Sequence, residues 1–202
     1  MSNTGIFSPK DINDLTSFGQ WSGMAGQLEL IETQSFAIPV SVVDFLNIKE
    51  DQYNVHFITL NTMKSEGDNQ EVINFRFYEN GVLEDGSNTY ERARQTFSNI
   101  PSQNFSESRT TSDSRIGTCF GTGNATGEGM GGYAYFYNLG DKTKYSFCTA
   151  QVTGLSNDAH YMGSFGSYMM KQTSVVDGIR VYKNSGNYSN FDISLYGIRF
   201  SS

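Results

Sequence analysis

Proline is scarce in this 202-residue chain, with 3 residues against 21 glycines. Strands must keep their ladder donors and tight turns need positive φ, so this imbalance suits many short strands joined by glycine turns. Charge is thin as well, at 17% of residues, and its balance is acidic, with a net charge of -7. No basic stripe is present to neutralise phosphates and release counterions, which argues against nucleic acid as a partner and disfavours anionic membrane surfaces. No window approaches the run of roughly 20 apolar residues that crosses a bilayer. The opening Met1-Ser2-Asn3-Thr4-Gly5 lacks the basic and apolar regions of a signal peptide. The expectation is a chain made in the cytoplasm, without a signal and without membrane insertion.

Imidazole and thiol are equally sparse. His56 and His160 are the only histidines, and Cys119 and Cys148 the only cysteines. His56 falls in an alternating stretch and reads as a structural strand histidine. His160 follows Asp158 by two residues, but two ligands do not make a metal site, and no Cys or His cluster has zinc spacing. Both cysteines lie in β-like stretches where a thiol packs as a small hydrophobe; without a secretory signal two free thiols are expected, a bridge being the alternative. No Gly-x-Ser-x-Gly string occurs, Gly163-Ser164-Phe165-Gly166-Ser167 being out of phase with it. The glycine-rich Gly121 to Gly127 has no following Lys and opens no helix, so it is neither a phosphate loop nor a dinucleotide turn. A pair of glycosidase carboxylates has no local spacing rule, but Glu79 and Asp85 read as turn formers. No catalytic, cofactor-binding or metal residue is assigned.

What the chain does have is aromatic residues, 15 Phe and 12 Tyr, in short alternating runs. These read as strands over 27–33, 53–61, 72–78, 89–96, 133–137, 145–152, 175–182 and 192–200. In the third, Ile73, Phe75 and Phe77 face one side, the core, while Asn74, Arg76 and Tyr78 face a wet one. Asn80-Gly81 directly after it is a two-residue hairpin turn. Ile193, Leu195 and Gly197 share a face opposite Ser194, Tyr196 and Ile198. Residues 98–114, rich in Ser, Thr and charge, read as a long loop or exposed edge segment, and 121–127, which opens a stretch with six glycines over 121–132, as a flexible surface loop. Up to ten strands with irregular loops and no 3.6-residue periodicity predict an all-β, two-sheet sandwich of jelly-roll or lectin-like type. The sandwich is expected over 27–202, preceded by an arm over 1–26 in which Ser8, Pro9 and Asp11 start a short helical turn. The arm's apolar residues Ile6, Phe7, Ile12, Leu15, Phe18 and Trp21 are the candidate anchor. Alternation places Tyr133, Tyr135 and Tyr137 together as packing or interface aromatics, with sugar stacking as the alternative.

The C-terminal third carries a resemblance. Val176-Asp177-Gly178-Ile179-Arg180-Val181-Tyr182, then Ser185-Gly186-Asn187-Tyr188-Ser189, then Ile193-Ser194-Leu195-Tyr196-Gly197-Ile198 resembles the closing segment common among tailed-phage virion proteins. Ile38-Pro39, the Phe75-Arg76-Phe77 strand with its Asn80-Gly81 turn, and Asn124 to Gly132 before an aromatic strand line up with the same family. The resemblance spans Gln27 to Phe200. The departures are Asp177 where Asn is usual, Lys183-Asn184 for a Ser pair, and no glycine after Tyr188-Ser189. The resemblance implies a β-sandwich surface module of a phage tail, fibre or capsid, localised to the virion. Its partners would be other virion proteins and further copies of itself, held by the arm or by subunit packing. It brings no catalytic residues. A module that recognises a host surface glycan is the alternative.

Overall fold

In the computed structural model, residues 28–67, 70–71, 73–100, 105–118, 121–156, 159–189 and 191–198 are described. They form sixteen strands: β1 (Leu28–Phe36), β2 (Val42–Phe45), β3 (Val55–Ser65), β4 (Gln70–Glu71), β5 (Asn74–Glu79), β6 (Val82–Leu83), β7 (Tyr90–Ser98), β8 (Phe105–Asp113), β9 (Ile116–Gly117), β10 (Gly121–Thr122), β11 (Gly129–Tyr137), β12 (Tyr145–Leu155), β13 (Tyr161–Thr173), β14 (Gly178–Tyr182), β15 (Tyr188–Ser189) and β16 (Phe191–Ile198). The protein is all-β, two sheets packed together. The larger sheet runs β1-β16-β3-β11-β12-β13-β7-β8, with β15 beside β3; the smaller runs β2-β14-β5-β6, with β9 beside β5. The anchor residues Ile6, Phe7, Ile12, Leu15, Phe18 and Trp21, and the helical turn expected among them, lie outside the described residues.

Strand alternation decides the core. On the larger sheet Ile58, Leu60, Ala134, Phe136, Cys148, Ala150 and Val152 point inward; on the smaller one Val43, Phe45, Phe75, Phe77, Ile179 and Val181 answer them. Phe136 sits at the centre, its ring edge-on to Phe75 at 5.4 Å and to Phe77 at 5.9 Å between centroids. Truncating a buried Phe of this kind to Ala costs about 3–5 kcal/mol.

Tyr90 joins the two sheets at one point. β5 pairs with β9 at Asn74 and Phe75 and with β6 at Tyr78 and Glu79, which leaves a gap at its centre. The Tyr90 hydroxyl fills it, accepting from the Phe77 amide at 2.9 Å and donating to the Glu84 carbonyl at 2.9 Å. Burial pushes the Tyr90 phenol well above its ordinary pKa, with a smaller opposing pull from the Phe77 hydrogen bond.

The Asn80-Gly81 hairpin forms as expected, with φ of 51° and 72° at its two central residues, and Glu79 pairs with Val82 across it. Asp177 holds the turn from outside, its Oδ2 accepting from the Gly81 amide at 2.8 Å. Ile73, Phe75 and Phe77 are buried as expected, but the opposite face is not wet: Asn74 and Tyr78 are buried too. Asn74 donates to the Tyr182 carbonyl at 3.3 Å, and the Arg76 guanidinium lies 4.7 Å from the Tyr182 ring centroid while donating to the Ser114 carbonyl.

Residues 98–114, expected as a loop or edge segment, contain edge strand β8, whose polar side chains suit an edge. The loop expected over 121–127 opens with the two residues of β10; the rest of it is a turn segment with Asn124 to Gly127 exposed, and β11 begins at Gly129. A Cβ on Gly132 would stand 2.4 Å from the Gln151 carbonyl oxygen, so glycine there admits a close strand approach and does not mark flexibility.

Candidate functional site

The smaller sheet covers only one face of the larger. Register assigns the residues of the uncovered face to rows that run across the strands. One row is Tyr196, Phe57, Tyr135, Thr149, Ser167, Ala93 and Arg109. A second, one pleat along, is Ser194, Thr59, Tyr133, Gln151, Phe165, Gln95 and Glu107. A third, on the other side of the first, is Ile198, Val55, Tyr137, Phe147, Met169 and Glu91.

On β16, β3 and β11 these rows make an aromatic cluster. Phe57 lies 4.6 Å from Tyr135, 6.0 Å from Tyr196 and 6.1 Å from Tyr133, centroid to centroid, and Tyr135 stacks on Tyr137 at 6.4 Å. The three tyrosines picked out by alternation are therefore on one face. Tyr133 is 39% exposed, and Tyr135 and Tyr137 are half-buried by their neighbours. The Tyr133 hydroxyl donates to Gln151 Oε1 at 2.9 Å, and the Tyr137 hydroxyl meets Thr149 Oγ1 at 3.3 Å.

Over β12, β13, β7 and β8 the same face becomes a groove. Thr149, Ser167 and Ala93 are short and form its floor, whereas the flanking rows stand taller. Two openings, of about 570 and 610 Å3, adjoin along Ala93, Ser167 and Arg109, which line both. Phe165 on one side is 47% exposed and Phe147 on the other 40%.

The remaining candidates serve the fold. His56 is buried in the core, its Nε2 2.8 Å from the Ile48 carbonyl, and burial lowers its pKa against a smaller raising effect of that bond. Nε2 therefore carries the proton that the Ile48 oxygen accepts. His160 is half-buried in a turn, and Asp158 lies outside the described residues. Among the described residues no three His, Cys, Asp or Glu side chains gather as a metal-holding group. Cys148 is free and fully buried, which raises its thiol pKa well above the ordinary value and leaves little nucleophilic thiolate. Cys119 lies outside the described residues. Lys183 is buried, its ammonium donating to Ser65 Oγ at 2.6 Å and to the Asn187 carbonyl at 3.1 Å. Burial lowers its pKa, with Glu66 acting in the opposite direction.

The strings that carry the resemblance are framework. Arg180 pairs with both Asp44 oxygens at 2.7 and 2.8 Å and donates to the Tyr78 hydroxyl at 2.6 Å, joining three strands of the smaller sheet. Gly197 lies against the Tyr53 ring, where a Cβ would approach to 2.3 Å.

Phe147, Gln151 and Phe165 were not singled out in the sequence. For Phe147 and Gln151 the signal is present in β12, where Ser146, Cys148, Ala150 and Val152 alternate as the buried set with Tyr145, Phe147, Thr149 and Gln151 as the outer one; Phe165 lies on β13 and has no such signal. Compared with known proteins, the chain matches no family model, and no curated protein matches it significantly.

Proposed function

We propose that this chain is a non-enzymatic structural protein of a tailed-phage virion, displayed on the tail or the capsid and assembled as a symmetric homo-oligomer. The observation that carries this reading is the resemblance of residues 176–198 to the closing segment of such proteins. It is supported by the framework positions of Arg180 and Gly197, because residues that set a shared architecture need not share a ligand. A jelly-roll or lectin-like type belongs to the same proposal. Its support is the nesting of the chain: β16 lies between β1 and β3 in one sheet and β14 between β2 and β5 in the other, as when a long hairpin wraps into two sheets.

Attachment is assigned to the N-terminal arm, through Ile6, Phe7, Ile12, Leu15, Phe18 and Trp21, or to packing of copies through the cluster of Phe57, Tyr135 and Tyr196. Half-exposed aromatic clusters on one face gain from burial against a partner. Deleting residues 1–22 should abolish particle occupancy in a complementation experiment; full occupancy without them would refute the arm as the anchor. A second reading, recognition of a host surface glycan, is favoured by the mixed aromatic and carboxamide walls of the groove.

A further inference from the structure

The groove over β12, β13, β7 and β8 has a chemistry of its own. Its floor presents the hydroxyls of Thr149 and Ser167 beside the methyl of Ala93. One wall alternates ring and carboxamide, Tyr133, Gln151, Phe165 and Gln95, in register across four strands. The opposite wall carries Phe147 and Met169. From these placements we infer that the groove binds an uncharged hexopyranose oligosaccharide, laid across the strands with its apolar ring faces against Phe165, Tyr133 and Phe147.

Size, charge and bonding each select this occupant. Wall rows four residues apart along a strand are about 13 Å apart at the backbone. Less the thickness of the side chains, that is the width of one sugar ring. The floor from β12 to β7 crosses two strand spacings, about 10 Å, room for roughly two rings. Of the charged residues around the groove, Arg109 pairs with Glu107 at 3.5 Å and Arg92 with Asp113 at 2.9 Å, Glu91 is answered at 3.8 Å by Lys171 just beyond the lining, and Arg94 donates to the Gly117 carbonyl at 2.8 Å. With these charges engaged, a chain of net charge -7 repels a polyanion, and the groove suits a neutral ligand.

Bonding separates a sugar from a second copy of the sheet. Two such faces pressed together would take Ser167, Gln95 and the amide group of Gln151 out of water against rings and methyls, with a penalty for each that finds no partner there, while Thr149 and Gln151 Oε1 keep their bonds to Tyr137 and Tyr133. A sugar presents hydroxyls at its edge and C–H groups on its faces, and so satisfies the hydroxyl floor and the aromatic wall together. The Tyr133 bond to Gln151 Oε1 fixes that carboxamide in advance and leaves its amide group as a donor at the wall.

This inference deepens the second reading above and is independent of attachment to particles, so loss of one leaves the other standing. It is tested with the full chain by isothermal titration calorimetry against neutral gluco-, manno- and galacto-hexasaccharides, with oligogalacturonate as the anionic control. At least one neutral hexasaccharide is expected to bind, at least tenfold more weakly to Phe165→Ala and not to Thr149→Arg, which fills the floor. Val82→Ala on the smaller sheet should bind as the parent does. If Phe165→Ala fails to fold, Phe165→Leu removes the flat ring and keeps the apolar volume. Absence of binding at millimolar concentration, binding of oligogalacturonate alone, or equal binding by the groove variants overturns the inference. So does a Thr149→Arg chain that binds no sugar and dissociates a parent oligomer that binds none either, since a second copy then occupies the groove.

Discussion

Tyr90→Phe removes one oxygen and should destabilise the sandwich out of proportion to its size. The hydroxyl is both acceptor for the Phe77 amide and donor to the Glu84 carbonyl, and β5 has no strand at that position to take over. Glu84 retains its own amide bond to the Phe77 carbonyl at 2.9 Å, so the loop should stay in place and the two orphaned groups stay dry. An orphaned buried group costs about 1–3 kcal/mol. The Glu84 carbonyl lies nearer solvent, so the total should be about 2–3 kcal/mol. For a protein of this size that is a fall in Tm of roughly 4–12 °C. The ring stays against Phe77, centroids 6.0 Å apart, so no cavity contributes.

Urea denaturation gives the free energy, and hydrogen exchange gives the location: the Phe77 amide should lose protection before its neighbours on β5. A second signature is alkaline. The folded pKa of Tyr90 is raised, so its contribution is complete below the unfolded tyrosine value of about 10 and is lost as pH rises beyond it. The parent should therefore lose stability more steeply than Tyr90→Phe above about pH 10. A variant within about 0.5 kcal/mol of the parent with Phe77 protection intact would refute this account of how the sheets are joined.

Gly197→Ala should cost about 1–3 kcal/mol by driving a methyl into the Tyr53 ring, and much less in a Tyr53→Ala background; equal costs in both would separate the two residues. His56 has a lowered folded pKa, so the stability it contributes is present above the unfolded value of about 6.5 and lost as pH falls below it. Denaturation at pH 7.5 and 5.5 should show a smaller loss for His56→Gln, and parallel behaviour would contradict the buried neutral ring. Arg180→Lys keeps the charge but loses the two-pronged bond to Asp44 and the Tyr78 contact, costing about 1 kcal/mol after allowance for solvent exposure. Tyr135→Arg places a charge in the half-exposed aromatic cluster and should convert an oligomer into monomers by light scattering; an unchanged mass removes that cluster from the interface.

The strands that could be read from sequence are those whose inner and outer residues differ in hydropathy. β5 and β16 alternate in this way, and Asn80-Gly81 carries its own turn chemistry. β13, the longest strand among the described residues, carries no legible alternation, because Gly163 and Ser164 take buried places while Phe165 stands outside. β2 was too short to show a period. The wet face expected for β5 failed because aromatic and guanidinium groups cover it, a tertiary effect with no local sign. Of the site, the shared face of Tyr133, Tyr135 and Tyr137 was legible from spacing alone. The groove was not, since its floor and walls are rows across four strands that are distant in the chain and meet only through register.

The claim most exposed to test is that this chain is carried on a virion. Cryo-electron microscopy and mass spectrometry of purified particles of a tailed phage that encodes it should find the sandwich on tail or capsid in symmetric copies, with residues 1–22 buried against a neighbouring protein. Particles that lack the chain, while it accumulates free in the infected cell, would contradict the account.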